Sequence, residues 1–271
     1  MTASQRRPGR QPGRQLGRPL GRHRARLTRS VAPGVHWLEH AHVNCYLIEE
    51  GDEVTLVDAG LPAVHPYLMA ALEVIGRRPS DVAALVLTHA HFDHIGAARR
   101  LQEELGCVVH VHPNDEYLLR HPYSYLHERP RVLYPLRYPR ALPVLGAMAA
   151  AGALRVKGMD GASVLTAGEV DVPGRPVVIE TPGHTFGHCA LHLPDRGVLI
   201  SGDALVTLDP YTGEEGPRIV AGAATADSAL AIGSLRRLEE TEAGVVLPGH
   251  GEPFRGGIRA AVRRAAEVGA R

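Results

Sequence analysis

The chain has 271 residues, a formal net charge of +1, 44% hydrophobic and 22% charged residues. That composition fits a globular protein, and no apolar run approaches the ~20 residues of a membrane helix, which argues against membrane insertion. The near-zero charge hides a split: residues 1–30 hold nine Arg and no Asp or Glu, while residues 31–271 hold 21 basic and 29 acidic residues, a balance of −8.

Residues 1–30 are rich in Arg, Pro and Gly and offer little apolar surface to bury. They read as a disordered tail, with residues 31–271 as one large domain. No apolar stretch resembling a secretory signal is present. The three cysteines, Cys45, Cys107 and Cys189, are widely spaced. They suggest no disulfide framework, so a cytoplasmic location is expected.

In chain order, residues 35–38, 45–48 and 54–57 read as strands, with a hairpin turn at 50–52. Residues 64–75 read as a helix. A buried strand over 84–87 runs into a His-rich segment, followed by a helix over 95–105 and a strand over 107–111. Asn114 is placed to cap a short helix over 115–120. Later strands are expected over 177–180, 189–193, 198–200 and 245–247, with helices over 227–239 and 257–267. Strands in hairpins followed by alternating strand and helix predict an α/β (α+β) protein with sheets covered by helices. Residues 117–160 break this rhythm. They hold five of the eight Tyr and seven basic residues but only two acids, Glu128 and Asp160. They read as an inserted, mostly helical lid.

Sixteen His are present, all but His23 beyond residue 30. The densest group is Thr88-His89-Ala90-His91-Phe92-Asp93-His94. His89 and His91, two apart on an extended segment, can point the same way. Asp93 and His94 sit at the turn into a helix. Four potential ligands in six residues suit two adjacent metals. Three later Gly-containing loops follow strands and bring His184, Asp203 and His250.

With Val57-Asp58-Ala59-Gly60 as a first signature stretch, these five segments resemble those of the metallo-β-lactamase fold superfamily, in the family's order, over residues 35–255. The resemblance implies a four-layer αββα sandwich with metals at one edge. It implies that His89, His91 and His184 hold one metal and that Asp93, His94 and His250 hold a second. Asp203 would bridge the two, making Asp93 and Asp203 the carboxylates nearest the chemistry. Asp58 and His188 are expected behind the ligands, orienting them. His110 and His112 read as structural, Cys189 as a small core residue, and His36, His40 and His42 as surface or rim residues.

Imidazole and carboxylate ligands suit Zn(II), with Fe or Mn as alternatives. Two such ions acidify a shared water, so a hydrolase using a bridging hydroxide is expected. A zinc-dependent enzyme acting on a small ester-like substrate, a thioester or lactone, matches the glyoxalase II-like and lactonase-like branches. Only 21 residues follow His250, which leaves no helical glutathione-binding domain of the glyoxalase II kind. Ala204-Leu205-Val206 follows Asp203 where lactonases place a Tyr, and Tyr211 comes eight residues on. The alternative is a mononuclear iron oxidoreductase resembling persulfide dioxygenases, although His188 stands where those carry Cys. A β-lactamase or nuclease is less favoured, and the acidic body argues against a nucleic-acid partner.

Overall fold

A computed structural model describes residues 14–16 and 25–271. The first sheet has eight strands in sequence order: β1 (Arg14–Leu16), β2 (Ala25–Ala32), β3 (Val35–His40), β4 (Val43–Glu50), β5 (Glu53–Val57), β6 (Val82–Val86), β7 (Val108–Val111) and β8 (Ser163–Val164). Pairing is antiparallel through β5 and parallel from β5 to β8. The second sheet uses β9 (Gly168–Glu169), β10 (Val177–Glu180), β11 (Cys189–Leu193), β12 (Val198–Gly202) and, after the separate hairpin β13 (Val206–Leu208) and β14 (Glu215–Arg218), β15 (Val245–Pro248). Its order is β15-β12-β11-β10-β9.

The strand period of two builds the layers. In β4, Cys45 and Leu47 face a core shared with α1 (His65–Ile75) and α2 (Ala98–Leu105), while Tyr46 and Ile48 face the core between the sheets. In β12, Val198 and Ile200 enter that same inter-sheet core. Leu199 points the other way, onto a third core containing Leu235 and Leu238 of α6 (Ser228–Glu239) and Ala261 and Val262 of α7 (Ile258–Val268). Helices, sheet, sheet and helices therefore form the expected αββα sandwich. The start of α6 is set by Asp227, whose carboxylate accepts the Leu230 amide at 2.8 Å.

The boundary at residue 30 is corrected by β2. Ala25 and Leu27 are fully buried, and Leu27 pairs with Leu38 of β3. The Arg residues that suggest a tail include two of this strand, Arg26 and Arg29: the Arg26 guanidinium lies 4.2 Å from the centroid of the Trp37 ring and is ion-paired with Glu252. The reading of residues 1–13 and 17–24 as a disordered tail lies outside the described residues. Two histidines also differ from expectation. His36 and His40 are buried, because β3 is covered on both faces. His36 Nε2 donates to the Glu49 carboxylate at 2.5 Å, and His40 lies against Tyr67.

Residues 117–160 run through the end of the short α3 (Glu116–Arg120) and carry α4 (Tyr134–Arg137) and α5 (Leu142–Ala150). Val144, Ala147 and Met148 of α5 pack on Ala41, Val43 and Leu61, and Tyr125 packs with Val206, Val220 and Ala224. Asn114 does not cap α3. Its side-chain amide instead reaches the Phe186 carbonyl at 3.3 Å, while the neighbouring Asp115 turns inward and is fully buried.

Candidate metal centre

Five loops converge at one edge of the sandwich, each just past the C-terminal end of a strand. The loop after β5 carries Asp58, that after β6 carries residues 88–94, and that after β10 carries His184 and His188. Asp203 follows β12 and His250 follows β15. Backbone hydrogen bonds stitch the loops together: Ala59 donates to His94 O at 2.7 Å, Cys189 to Thr88 O at 2.8 Å, and Gly249 to Gly202 O at 2.8 Å. Two glycines are required by this crowding. A Cβ on Gly249 would stand 2.1 Å from Asp203 Oδ1, and Gly202 adopts φ +50° with His188 Nε2 only 2.7 Å from where its Cβ would be.

All seven residues expected as ligands meet here, and all are buried. Their donor atoms group as His89, His91 and His184; as Asp93, His94 and His250; and as His89, His94 and Asp203, each within 4.8 Å. Asp203 reaches both triads: Oδ2 lies 3.4 Å from His184 Nε2 and 3.3 Å from His250 Nε2, and Oδ1 lies 3.5 Å from His94 Nε2. The Nε2 atoms of His89, His91, His94, His184 and His250 and Asp203 Oδ1 are buried without a hydrogen-bond partner. Six buried polar atoms without partners, facing one another, would be costly unless a cation satisfied them. The donor set therefore fits divalent metal.

Behind these atoms the Nδ1 side of four rings is engaged. His94 Nδ1 meets Asp58 at 2.8 Å, His250 Nδ1 donates to the His42 carbonyl at 2.7 Å, and His184 Nδ1 meets Thr225 Oγ1 at 3.3 Å. His89 Nδ1 meets Thr88 Oγ1 at 3.1 Å, and Thr88 donates both its amide and its hydroxyl to Asp58 at 2.8 Å. A donor fixed at Nδ1 leaves the Nε2 lone pair aimed at the centre.

A family model of the metallo-beta-lactamase superfamily matches residues 39–250. The chain belongs to this superfamily. It is 30% identical over 244 residues to the probable metallo-hydrolase YflN of Bacillus subtilis, covering 83% of this chain and 86% of that one. Among solved structures, the metallo-beta-lactamase family protein TTHA1429 of Thermus thermophilus aligns with TM-score 0.61 and 27% identity, over 87% of this chain and 79% of that one. TTHA1623, solved in a di-iron-bound form, aligns with TM-score 0.56 and 30% identity, over 80% and 92%.

The electrostatics of this metallo-beta-lactamase edge are those of a site built for positive charge. Burial and then the neighbouring imidazoles push His89 and His184 well below the usual histidine range, and burial holds His91 down to about 4. These rings are neutral, as ligands must be. Burial alone would also depress His94, yet the Asp58 and Asp203 carboxylates raise it to about 9. His250 is raised in the same way by Asp203 and Asp93 against its burial. Asp203, which burial would raise, is held well below its ordinary value by His250, His94 and His184.

His188 stands behind Asp203. Burial lowers it to about 3, so it is neutral. Its Nε2 accepts the Asp203 and Ala204 amides at 2.9 and 3.1 Å, and its Nδ1 meets Thr181 Oγ1 at 2.7 Å. Sequence reasoning missed Asp115. Its carboxylate accepts the Ala90 amide at 3.0 Å, the Gly187 amide at 2.9 Å and the Thr185 hydroxyl at 2.7 Å, tying the His89–His91 stretch to the His184 loop. Thr225 and the His42 carbonyl were missed as well. No local pattern marks any of them, because each acts on a segment distant in the chain.

Proposed function

We propose that this protein is a dinuclear zinc hydrolase of small ester-like substrates, thioesters or lactones. One observation carries the reading: two separate triads of inward-facing donors share a single carboxylate, Asp203, within reach of both. In this assignment His89, His91 and His184 hold one ion, Asp93, His94 and His250 hold the other, and Asp203 lies between them. Divalent ions bound there supply an acidified water and a Lewis acid for the developing oxyanion. The chain's own residues do the rest. Asp58 keeps the proton on His94 Nδ1, the His42 carbonyl keeps one on His250 Nδ1, and His188 holds the backbone at Asp203.

The similarity to a probable metallo-hydrolase supports hydrolysis as the reaction class. The di-iron-bound relative keeps iron in play as the native metal, and with it the reading as an iron oxidoreductase. The three cysteines are free and buried, which supports a reducing compartment as the working location. Among the described residues no helix is long and apolar enough to cross a membrane.

Elemental analysis of the purified protein, paired with an ester, thioester and lactone panel, tests the proposal. The expected result is about two ions per chain, with His91→Ala and Asp203→Ala both losing metal and at least a hundredfold in turnover. Full activity in metal-depleted protein would overturn it. Bound iron with substrate-dependent oxygen uptake would transfer the assignment to the oxidoreductase class.

A further inference from the structure

The segment over 117–160 brings one cation to the rim of the metal centre. The Arg131 guanidinium carbon lies 4.3 Å from the centroid of the Tyr125 ring. That ring lies in turn 4.4 Å from the His91 imidazole. Tyr125 is buried and its hydroxyl meets the Tyr211 hydroxyl at 3.1 Å, so the ring is held from both ends. Arg131 itself is half-buried.

Among the described residues no acid pairs with it. The only acids in the segment are Glu128 and Asp160. Glu128 receives the Ser228 amide at 2.8 Å and the Ser228 hydroxyl at 2.6 Å, and Asp160 is bonded by Arg120 at 2.6 Å. Among the described residues no ion pair reaches Arg131. A half-buried guanidinium beside a cluster that collects cations is unfavourable, and stacking on Tyr125 offsets only part of that cost. The guanidinium lies over the Tyr125 ring and within hydrogen-bond reach of its hydroxyl, while among the described residues no carboxylate takes its other N–H groups. That geometry suits a planar anion bound by two parallel hydrogen bonds. Two other arginines of the segment are engaged elsewhere: Arg120 pairs with Glu116 and Asp160, and Arg137 lies on Tyr138. One cation matches one negative charge, which favours a carboxylate over a phosphate dianion.

We propose that Arg131, stacked on Tyr125, forms a subsite for a carboxylate carried at the far end of a short acyl group whose scissile carbonyl lies at the metal centre. This rests on the hydrolase reading, and it narrows the substrate class to half-esters or half-thioesters of short dicarboxylic acids.

The experiment uses the full, metal-loaded chain. Calorimetry compares binding of glutarate and pentanoate, which share chain length and differ by one carboxylate. Kinetics compare kcat/KM for a glutaryl thioester and its pentanoyl counterpart. The wild type is expected to favour the anionic member of each pair by tenfold or more. Arg131→Gln is expected to reduce both preferences at least tenfold. Arg131→Lys, which keeps the charge without the fork, is expected to fall between, and metal content checks that the centre persists in each variant. An unchanged preference in Arg131→Gln, or no preference in the wild type, overturns the proposal. If Arg131→Gln fails to fold, a wild-type preference retained in full by Arg131→Lys overturns the fork, and a partial loss upholds it. If neither thioester is cleaved and the ester and lactone panel is also inert, the hydrolase reading fails. The glutarate comparison then still decides the subsite.

Discussion

The His188 imidazole accepts the backbone amide of Asp203 at 2.9 Å and that of Ala204 at 3.1 Å. It touches neither triad through a lone pair aimed at the centre, yet it sets where the shared carboxylate stands. His188→Ala is expected to weaken metal affinity by about 10–100-fold, the usual cost of losing a group that orients a ligand. Competition with a chelator of known affinity measures this. Unchanged affinity would assign His188 to packing alone.

Asp115 joins two segments that each carry candidate ligands. Asp115→Ala leaves the Ala90 and Gly187 amides without acceptors in a buried site. A loss of about 3 kcal/mol in folding stability is expected from two such orphaned donors. Urea denaturation of the metal-free protein checks this, since the effect is expected without any metal present.

Glu49 gives a pH dependence remote from the metal edge. Its burial would raise the carboxyl, but bonds from His36 at 2.5 Å and Arg77 at 2.9 Å lower it below its ordinary value. A carboxyl with a depressed folded value contributes stability that is present above its unfolded pKa, about 4.3, and is lost as pH falls through the folded one. Glu49→Gln is therefore expected to flatten the decline in stability below about pH 4.3. Melting temperatures of the two proteins between neutral and acid pH should converge as the pH drops. Parallel curves would show that Glu49 does not carry the dependence.

The first strand of the domain core makes residues 25–30 structural. Deleting residues 1–30 removes Ala25 and Leu27, both fully buried, from the sheet. Leu27→Ala alone is expected to cost about 3 kcal/mol, as for other large-to-small core changes. Thermal denaturation of that variant and of the truncation tests this. A truncation as stable as the full chain would return the boundary to residue 30.

Much of the centre was legible because its chemistry is local. His89, His91, Asp93 and His94 lie within six residues, and each later candidate follows an apolar strand and sits beside a glycine. The strands were legible as short apolar runs between turn residues, as in β4, whose successive positions enter two different cores. Residues 25–30 were not, because Arg26 and Arg29 of β2 share the composition of the preceding tail. Only the indole of Trp37 and the carboxylate of Glu252, distant in the chain, explain why Arg26 belongs on a strand. His36 and His40 read as rim residues from sequence because a histidine's burial depends on how many layers cover its strand.

By itself the sequence determined where the potential metal-binding side chains cluster and that sheets covered by helices would carry them, and the family resemblance added the four layers. Residue type and spacing of two along a strand are properties of short segments. The tertiary structure alone decided which ring nitrogen faces inward, because the partner on the other nitrogen comes from elsewhere: the carbonyl that fixes His250 belongs to His42, 208 positions away. It likewise decided that Arg131 lies over Tyr125, with no acid paired to it among the described residues. Charge neutralisation and ring stacking depend on distances in space, and chain separation does not encode them.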